Sequence, residues 1–186
     1  MLNSFQHPFS RPRLRAEEWT LNQVQGDVLR FPSAVLFLSA EAKDKGMTDE
    51  DLVRLAREAA AKAYAPYSNF HVGCAIESVD GEVVTGANME NACYRLGICA
   101  EQSALTAAQH KFGLGKIARI AVSGGSGPVV CTPCGGCRQA ILEAAQLAGR
   151  NVEILCGSGD GSAVERHTIE ELIPFGFGPA NLSPPA

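Results

Sequence analysis

Apolar residues Leu52, Leu55, Ala56, Ala59, Ala60 and Ala63 recur at helical spacing, and they follow a residue suited to start a helix. Thr48 can cap it, Asp49, Glu50 and Asp51 suit the positive end of its dipole, and Pro66 ends it. Val72, Cys74 and Ile76 then alternate with other residues, which reads as a strand. Asp80-Gly81 signals a hairpin, and Val83-Val84-Thr85 is the returning strand. A polar loop, Gly86 to Asn91, leads to a second helix over about Ala100 to His110, with Ala104, Leu105, Ala107 and Ala108 inward and Gly113 as its stop. Ile117–Val122 is a short apolar run, expected to be a strand buried on both faces. A third helix spans Cys134 to Ala148, with Ile141, Leu142 and Ala145 toward the core and Gly149 after it. Val152–Cys156 is a further strand, Gly157–Gly161 a turn, and Thr168 caps a short helix that runs to Ile173 and stops at Pro174. Strands alternating with helices after an initial hairpin predict an α/β layered domain with a mixed sheet.

Residues 1–46 show no such pattern. Pro8, Pro12, Arg11, Arg13, Arg15, Glu17 and Glu18 follow no sustained period, and the stretch reads as a poorly ordered extension ahead of a catalytic domain at 47–186. Val35–Leu38 is apolar but too short to span a membrane. As a secretory signal the stretch is weak, because Glu17, Glu18 and Asp27 dilute its basic region. With 46% hydrophobic and 19% charged residues, the chain has the composition of an ordinary globular domain. Its net charge of −4 and lack of a Lys/Arg cluster argue against a nucleic-acid partner, and no membrane partner is expected.

The chemistry lies in the cysteines. There are seven, an odd number at uneven spacing, which suits reduced thiols and a cytoplasmic location better than a disulfide framework. Cys134 and Cys137 have the Cys-x-x-Cys spacing by which two thiolates grip one metal from a turn that opens a helix. Cys99 supplies a third and leaves one position of a tetrahedral Zn2+ open, as catalytic zinc requires. Glu101, two residues on, is near the metal but free to carry a proton. Cys-Ala-Glu followed later by Pro133-Cys134-Gly135-Gly136-Cys137 is the signature of zinc deaminases. The alternatives are a four-cysteine zinc ribbon or buried thiols; a ribbon needs a second Cys-x-x-Cys pair, which is missing. A zinc-stabilised binding module would have no use for Glu101 as proton carrier. Cys74, Cys93, Cys131 and Cys156 are expected to be bystanders, with Cys131 the nearest competitor, and His7, His71, His110 and His167 have no ligand spacing. Both ligand segments fall at expected helix N-termini, where N–H groups and the dipole favour thiolate. If the strands before those helices are parallel neighbours, the site lies at their C-terminal edge.

Five motifs in order carry a resemblance over Thr48–Asn181: Tyr67-Ser68-Asn69-Phe70-His71-Val72-Gly73, Asn88-Met89-Glu90-Asn91-Ala92-Cys93-Tyr94, Cys99-Ala100-Glu101, Pro133 through Gln139, and Glu171-Leu172-Ile173-Pro174 with Phe177-Gly178-Pro179. The chain resembles the small homotetrameric cytidine deaminases. That resemblance implies a layered α/β/α domain with a mixed, roughly five-stranded sheet. It implies zinc-dependent conversion of cytidine and deoxycytidine to uridine and deoxyuridine, with Glu101 moving protons to N3 and to the departing amine. Asn88 and Glu90 would hold the ribose hydroxyls, Phe70 would pack on the base, and Ala100 would contact the substrate. Tyr94 and Phe177 would complete sites across subunit boundaries. Taken on residue type alone, Asn88 and Glu90 are ordinary turn formers, and Phe70 and Phe177 ordinary core. Phe175-Gly176 departs from the family pattern. An aminopyrimidine antibiotic of the blasticidin type is the alternative substrate. A free nucleoside is favoured over a nucleotide, because the one glycine-rich loop, Gly124-Gly125-Ser126-Gly127, has no Lys or Arg at motif spacing.

A second departure concerns charge. Three-cysteine relatives usually continue Cys-Ala-Glu-Arg, whereas His-ligand relatives read His-Ala-Glu-Gln; this chain joins Cys99 to Gln102. Three thiolates leave the zinc with a formal charge of about −1, which weakens it as a Lewis acid. Arg138, next to Cys137, is the expected compensating hydrogen-bond donor, with Gln102 a neutral donor toward a cysteine sulfur.

Overall fold

Helix α1 (Asp49–Ala60) starts where its cap chemistry places it: the Thr48 hydroxyl accepts from the Asp51 N–H. The structure is a computed structural model that describes residues 47–182, so the expectation for residues 1–46 lies outside the described residues. Helix α1 ends earlier than its apolar spacing suggests. Past Ala60 the chain tightens, with Lys62 and Ala63 N–H groups bonding to the Ala59 and Ala60 carbonyls, and Tyr64 then bridges to Met89.

The sheet follows in the order β2 (Val83–Ala87), β1 (Val72–Ser78), β3 (Ile117–Gly124), β4 (Glu153–Gly157) and β5 (Val164–Thr168). The β1/β2, β1/β3 and β4/β5 pairs are antiparallel, and β3/β4 is parallel, which makes the sheet mixed as expected. Strand β5 is absent from the reading of the hydrophobic pattern for a physical reason. Val164-Glu165-Arg166-His167-Thr168 is an edge strand without a buried apolar face, so it carries no alternation.

Strand residues alternate between two cores. Cys74, Ile76, Ile120, Val122, Ile154 and Cys156 face α2 (Ala100–Lys111) and α3 (Gly135–Leu147), whereas Ala75, Ala121 and Leu155 face α1. Three layers result, α1 on one side and α2 with α3 on the other. Burying each large aliphatic side chain of this kind stabilises the fold by about 1.5–3 kcal/mol.

Two glycines let the helices sit close. A Cβ on Gly73 would collide with the backbone of Ala56 and Ala60, and one on Gly86 with that of Ala100 and Ala104. The second contact seats the first turn of α2, and with it Cys99 and Glu101, against β2. At the other end of the sheet Arg119 joins Glu77, Asp49 and the Met47 carbonyl, and Arg166 joins Asp49 and Glu153.

The strands that precede α2 and α3 are β2 and β3. They run in the same direction but are not neighbours, because antiparallel β1 lies between them. Their C-terminal ends nonetheless meet the start of β1 at one edge, where Val72 pairs with Gly124 and Gly73 with Ala87.

Candidate active site

Two helix starts converge at that edge. Cys99 is the N-cap of α2 and Cys134 the N-cap of α3, and Cys137 stands in the first turn of α3. The three sulfurs lie within 4.8 Å of one another, and among the described residues no fourth His, Cys, Asp or Glu joins the group. This donor set fits one zinc with one position left over. The N–H groups of Cys137 and Gly136 hold the Cys134 thiol below its ordinary pKa, as a helix start should. Burial pushes Cys137 and Cys99 the other way, so in the chain alone their thiols hold their protons more tightly than free cysteine.

Glu101 lies in the first turn of α2 and is only 4% exposed. Burial pushes its carboxyl above the ordinary value, while hydrogen bonds from its own N–H and from the Cys137 thiol act against that shift. A carboxyl raised in this way takes up a proton more readily than a free one, as a group that both accepts and donates protons must.

Cys99, Cys134 and Glu101 form the floor of a cleft of about 390 Å³, which Phe70, Asn88, Glu90, Tyr94 and Ala100 also line; Cys137 is fully buried beside them. The mouth is built from turns. Asn88 is fixed by its own amide: Oδ1 accepts from the Val72 N–H at 2.8 Å and Nδ2 donates to the Phe70 carbonyl at 3.0 Å. The Glu90 carboxylate accepts from the Tyr67 N–H at 2.9 Å, the Ser68 N–H at 3.2 Å and the Ser68 hydroxyl. The bland reading of these two as turn formers therefore holds, alongside their place in the cleft. Phe70 is 49% and Tyr94 80% exposed, so neither is core.

Phe177 does not line the cleft. It is 61% exposed, and its carbonyl accepts from Gln139 Nε2 at 2.6 Å. Cys131 and Thr132 do line it, and motif reading missed that role. The signal available was position, since both immediately precede Pro133. Burial raises the Cys131 thiol to about 11, and Cys131 stays outside the sulfur group.

The two residues expected to compensate thiolate charge are placed differently. Arg138 donates to backbone carbonyls, from Nε to Pro133 at 2.8 Å and from Nη1 to Leu172 at 2.9 Å, rather than to a cysteine sulfur. Gln102 is exposed and lines a groove between α2 and α3 with Leu105, Gln109 and Ala140, away from the cleft. One residue past Glu101, the helix has turned by roughly 100° and carried it to the outer face.

Comparison with known proteins gives the same picture. The family model of the cytidine and deoxycytidylate deaminase zinc-binding region matches residues 47–149. A cytidine deaminase of Halalkalibacterium halodurans is 37% identical over 131 residues, covering 70% of this chain and 95% of the relative. A solved cytidine deaminase from Burkholderia pseudomallei is 41% identical, with a TM-score of 0.63 over 70% of this chain and 100% of its own. One from Mycobacterium tuberculosis is 38% identical, with a TM-score of 0.57 over 68% and 94%.

Proposed function

The chain belongs to the cytidine and deoxycytidylate deaminase family, and from that premise we propose that it hydrolyses free cytidine and deoxycytidine to uridine and deoxyuridine with release of ammonia. The observation that carries this reading is the group Cys99, Cys134 and Cys137 beside buried Glu101, at the floor of a cleft of nucleoside size. Cys99, Cys134 and Cys137 would hold the zinc, which would supply Lewis acidity and lower the pKa of water at the site.

The chain's own residues do the rest. Glu101 takes a proton from water as the water oxygen bonds to C4 and delivers it to N3 of the pyrimidine; it then takes the second proton from the oxygen now on C4 and delivers it to the amine, so that the C4–N bond breaks and ammonia leaves. Phe70 offers its exposed ring to the base. Asn88 and Glu90 hold a ribose hydroxyl, and their remaining valences suit one. Asn88 has one amide N–H left after its bond to Phe70, and Glu90 Oε1 has a lone pair left after its bond with the Ser68 hydroxyl. A hydroxyl that accepts from the first and donates to the second satisfies both.

We further propose a homotetramer working in the cytoplasm, with the activity carried by residues 47–186. Tyr94, Leu96, Met89 and Ile98 are large apolar side chains exposed around the mouth, and a second copy that brings Phe177 or Tyr94 to a neighbouring cleft would cover them. All seven cysteines are free, which suits a reducing compartment. Sedimentation of the zinc-loaded protein should give four chains per particle.

Ammonia release from cytidine tests the function directly. Glu101→Gln should keep its zinc and lose about 10²–10⁴-fold in kcat, the range for a general acid–base group. Turnover that survives this change would remove Glu101 from the reaction. The family match favours cytidine over the blasticidin-type substrate, and turnover of the two measured side by side checks it.

A further inference from the structure

The glycine-rich loop Gly124-Gly125-Ser126-Gly127 lacks a basic partner in sequence, but the fold supplies two. A pocket of about 190 Å³ has Arg57 and His71 in its wall together with Gly124, Gly125 and Gly159. It shares no lining residue with the catalytic cleft. We propose that this pocket is a binding site for a phosphate-sized oxyanion, distinct from the nucleoside site.

Its construction points to an anion. Arg57 comes from the last turn of α1 and is half-buried. Its guanidinium lies against Gly161, at φ +79°, where any side chain would collide with it. The contrast with Arg54 on the same helix is direct: Arg54 is paired with Asp51 and Glu58, whereas among the described residues Arg57 makes no ion pair. A planar guanidinium left without a carboxylate partner matches two oxygens of a tetrahedral oxyanion. His71 adds a ring N–H, which it carries in either protonation state.

The nearby carboxylates are engaged elsewhere: Glu90, close enough to His71 to interact with it electrostatically, accepts from the Tyr67 and Ser68 N–H groups. Asp160, in the adjoining turn, accepts from the Ser158 hydroxyl and from the N–H and hydroxyl of Ser162. The Ala59 and Ala60 carbonyls at the end of α1, which would repel an anion, are taken by the Lys62 and Ala63 N–H groups. Two loops approach closely in one wall of the pocket, since a Cβ on Gly159 would collide with the Gly125 carbonyl. Its volume lies below the range of about 300–1,000 Å³ for pockets that enclose drug-sized molecules, so it admits the oxyanion and not a nucleoside around it.

The test is a ³¹P NMR titration of inorganic phosphate against the zinc-loaded full chain, with chloride at matched ionic strength as background. Saturable broadening is expected, and Arg57→Gln and His71→Gln should each weaken binding by about tenfold or more with circular dichroism and zinc content unchanged. Saturating uridine should leave phosphate affinity within about twofold, because the two sites are separate. A parallel titration with cytidine 5′-monophosphate identifies the source: Arg57-dependent binding of the ester alone assigns the site to a phosphomonoester, and binding of phosphate assigns it to the free anion. No saturable binding of either, wild-type affinity in Arg57→Gln, or displacement of phosphate by uridine would overturn the proposal. None of these outcomes depends on deaminase activity.

Discussion

The floor and the mouth of the cleft are built by opposite strategies. Floor residues come from two helix starts pressed against the sheet by buried contacts: Ala100 and Cys137 are fully buried and Glu101 nearly so. Mouth residues come from turns, and their apolar side chains are exposed. At the floor one chain brings together all three sulfurs and the buried Glu101 carboxyl. At the mouth, Asn88 and Glu90 spend most of their hydrogen-bonding capacity on holding the turns that present Phe70. On the proposed function, reactivity would be set within one chain by rigid elements, and substrate grip by surfaces left open to other molecules.

The largest effect should come from breaking the floor. Cys137→Ala removes a ligand from a buried helix turn, so metal analysis should find zinc lost and cytidine turnover abolished. Cys131→Ala, only three residues before Cys134, should keep its zinc, since Cys131 lies outside the sulfur group. The reverse pattern would mean that the metal is held from the loop before Pro133 rather than from the helix start.

Glu90→Gln tests the mouth and should act more mildly, lowering kcat/KM for cytidine by roughly 10–100-fold, as expected for losing a hydrogen bond to a charged group. It should also alter acid stability. The Ser68 hydroxyl, then the Tyr67 N–H, hold the Glu90 carboxyl below its ordinary value of 4.5. The stability this clamp contributes is fully present above pH 4.5 and is lost as pH falls through the lower folded value. Thermal melts of wild type and Glu90→Gln should therefore converge as the solution is acidified through that window. A constant gap would show that the clamp adds nothing.

Arg138→Gln comes next, and it sharpens the question of what steadies the floor. Arg138 ties the Pro133 carbonyl, directly before Cys134, to the Leu172 carbonyl at the end of α4 (Ile169–Leu172). Losing both bonds should cost about 1–3 kcal/mol in stability. Zinc affinity should fall with it, because the Cys134 turn loses its anchor. Competition with a chelator, run beside denaturant unfolding, separates the two readouts. Unchanged values in both would leave Arg138 without a part in the site.

Much of this was legible in the sequence. The helix cap at Thr48, the hairpin at Asp80-Gly81, the two helix starts at the cysteines and the grouping of three thiols with Glu101 all follow from local chemistry and spacing. Strand β5 was not, because an exposed edge strand of Val164, Glu165, Arg166, His167 and Thr168 has no apolar alternation to read. Nor were the partners of Arg138, since Leu172 is brought to it by the packing of α4 on α3. Arg57 beside the glycine loop is the same kind of case, a long-range meeting that no local spacing encodes.

The smallest expected effect belongs to Gln102. Adjacency in sequence makes it look like part of the metal's surroundings, but the helix puts successive residues roughly 100° apart. Glu101 therefore points into the floor, whereas Gln102 is exposed on a groove lined by Leu105, Gln109 and Ala140. The excess thiolate charge still needs an offset, and the groups placed to give it are the Gly136 and Cys137 N–H donors at the start of α3, which already lower the Cys134 thiol pKa. Gln102→Ala should accordingly leave zinc affinity and kcat within about twofold of wild type, as surface substitutions away from special features do. Gln102→Arg should behave alike at the metal, despite restoring the residue usual after Cys-Ala-Glu. The measurement is chelator competition on the three proteins at one pH, with cytidine turnover alongside. A loss of zinc in Gln102→Ala as large as that in Arg138→Gln would mean that the outer face of α2 acts on the metal, and the division between a self-sufficient floor and an open mouth would fail at that point.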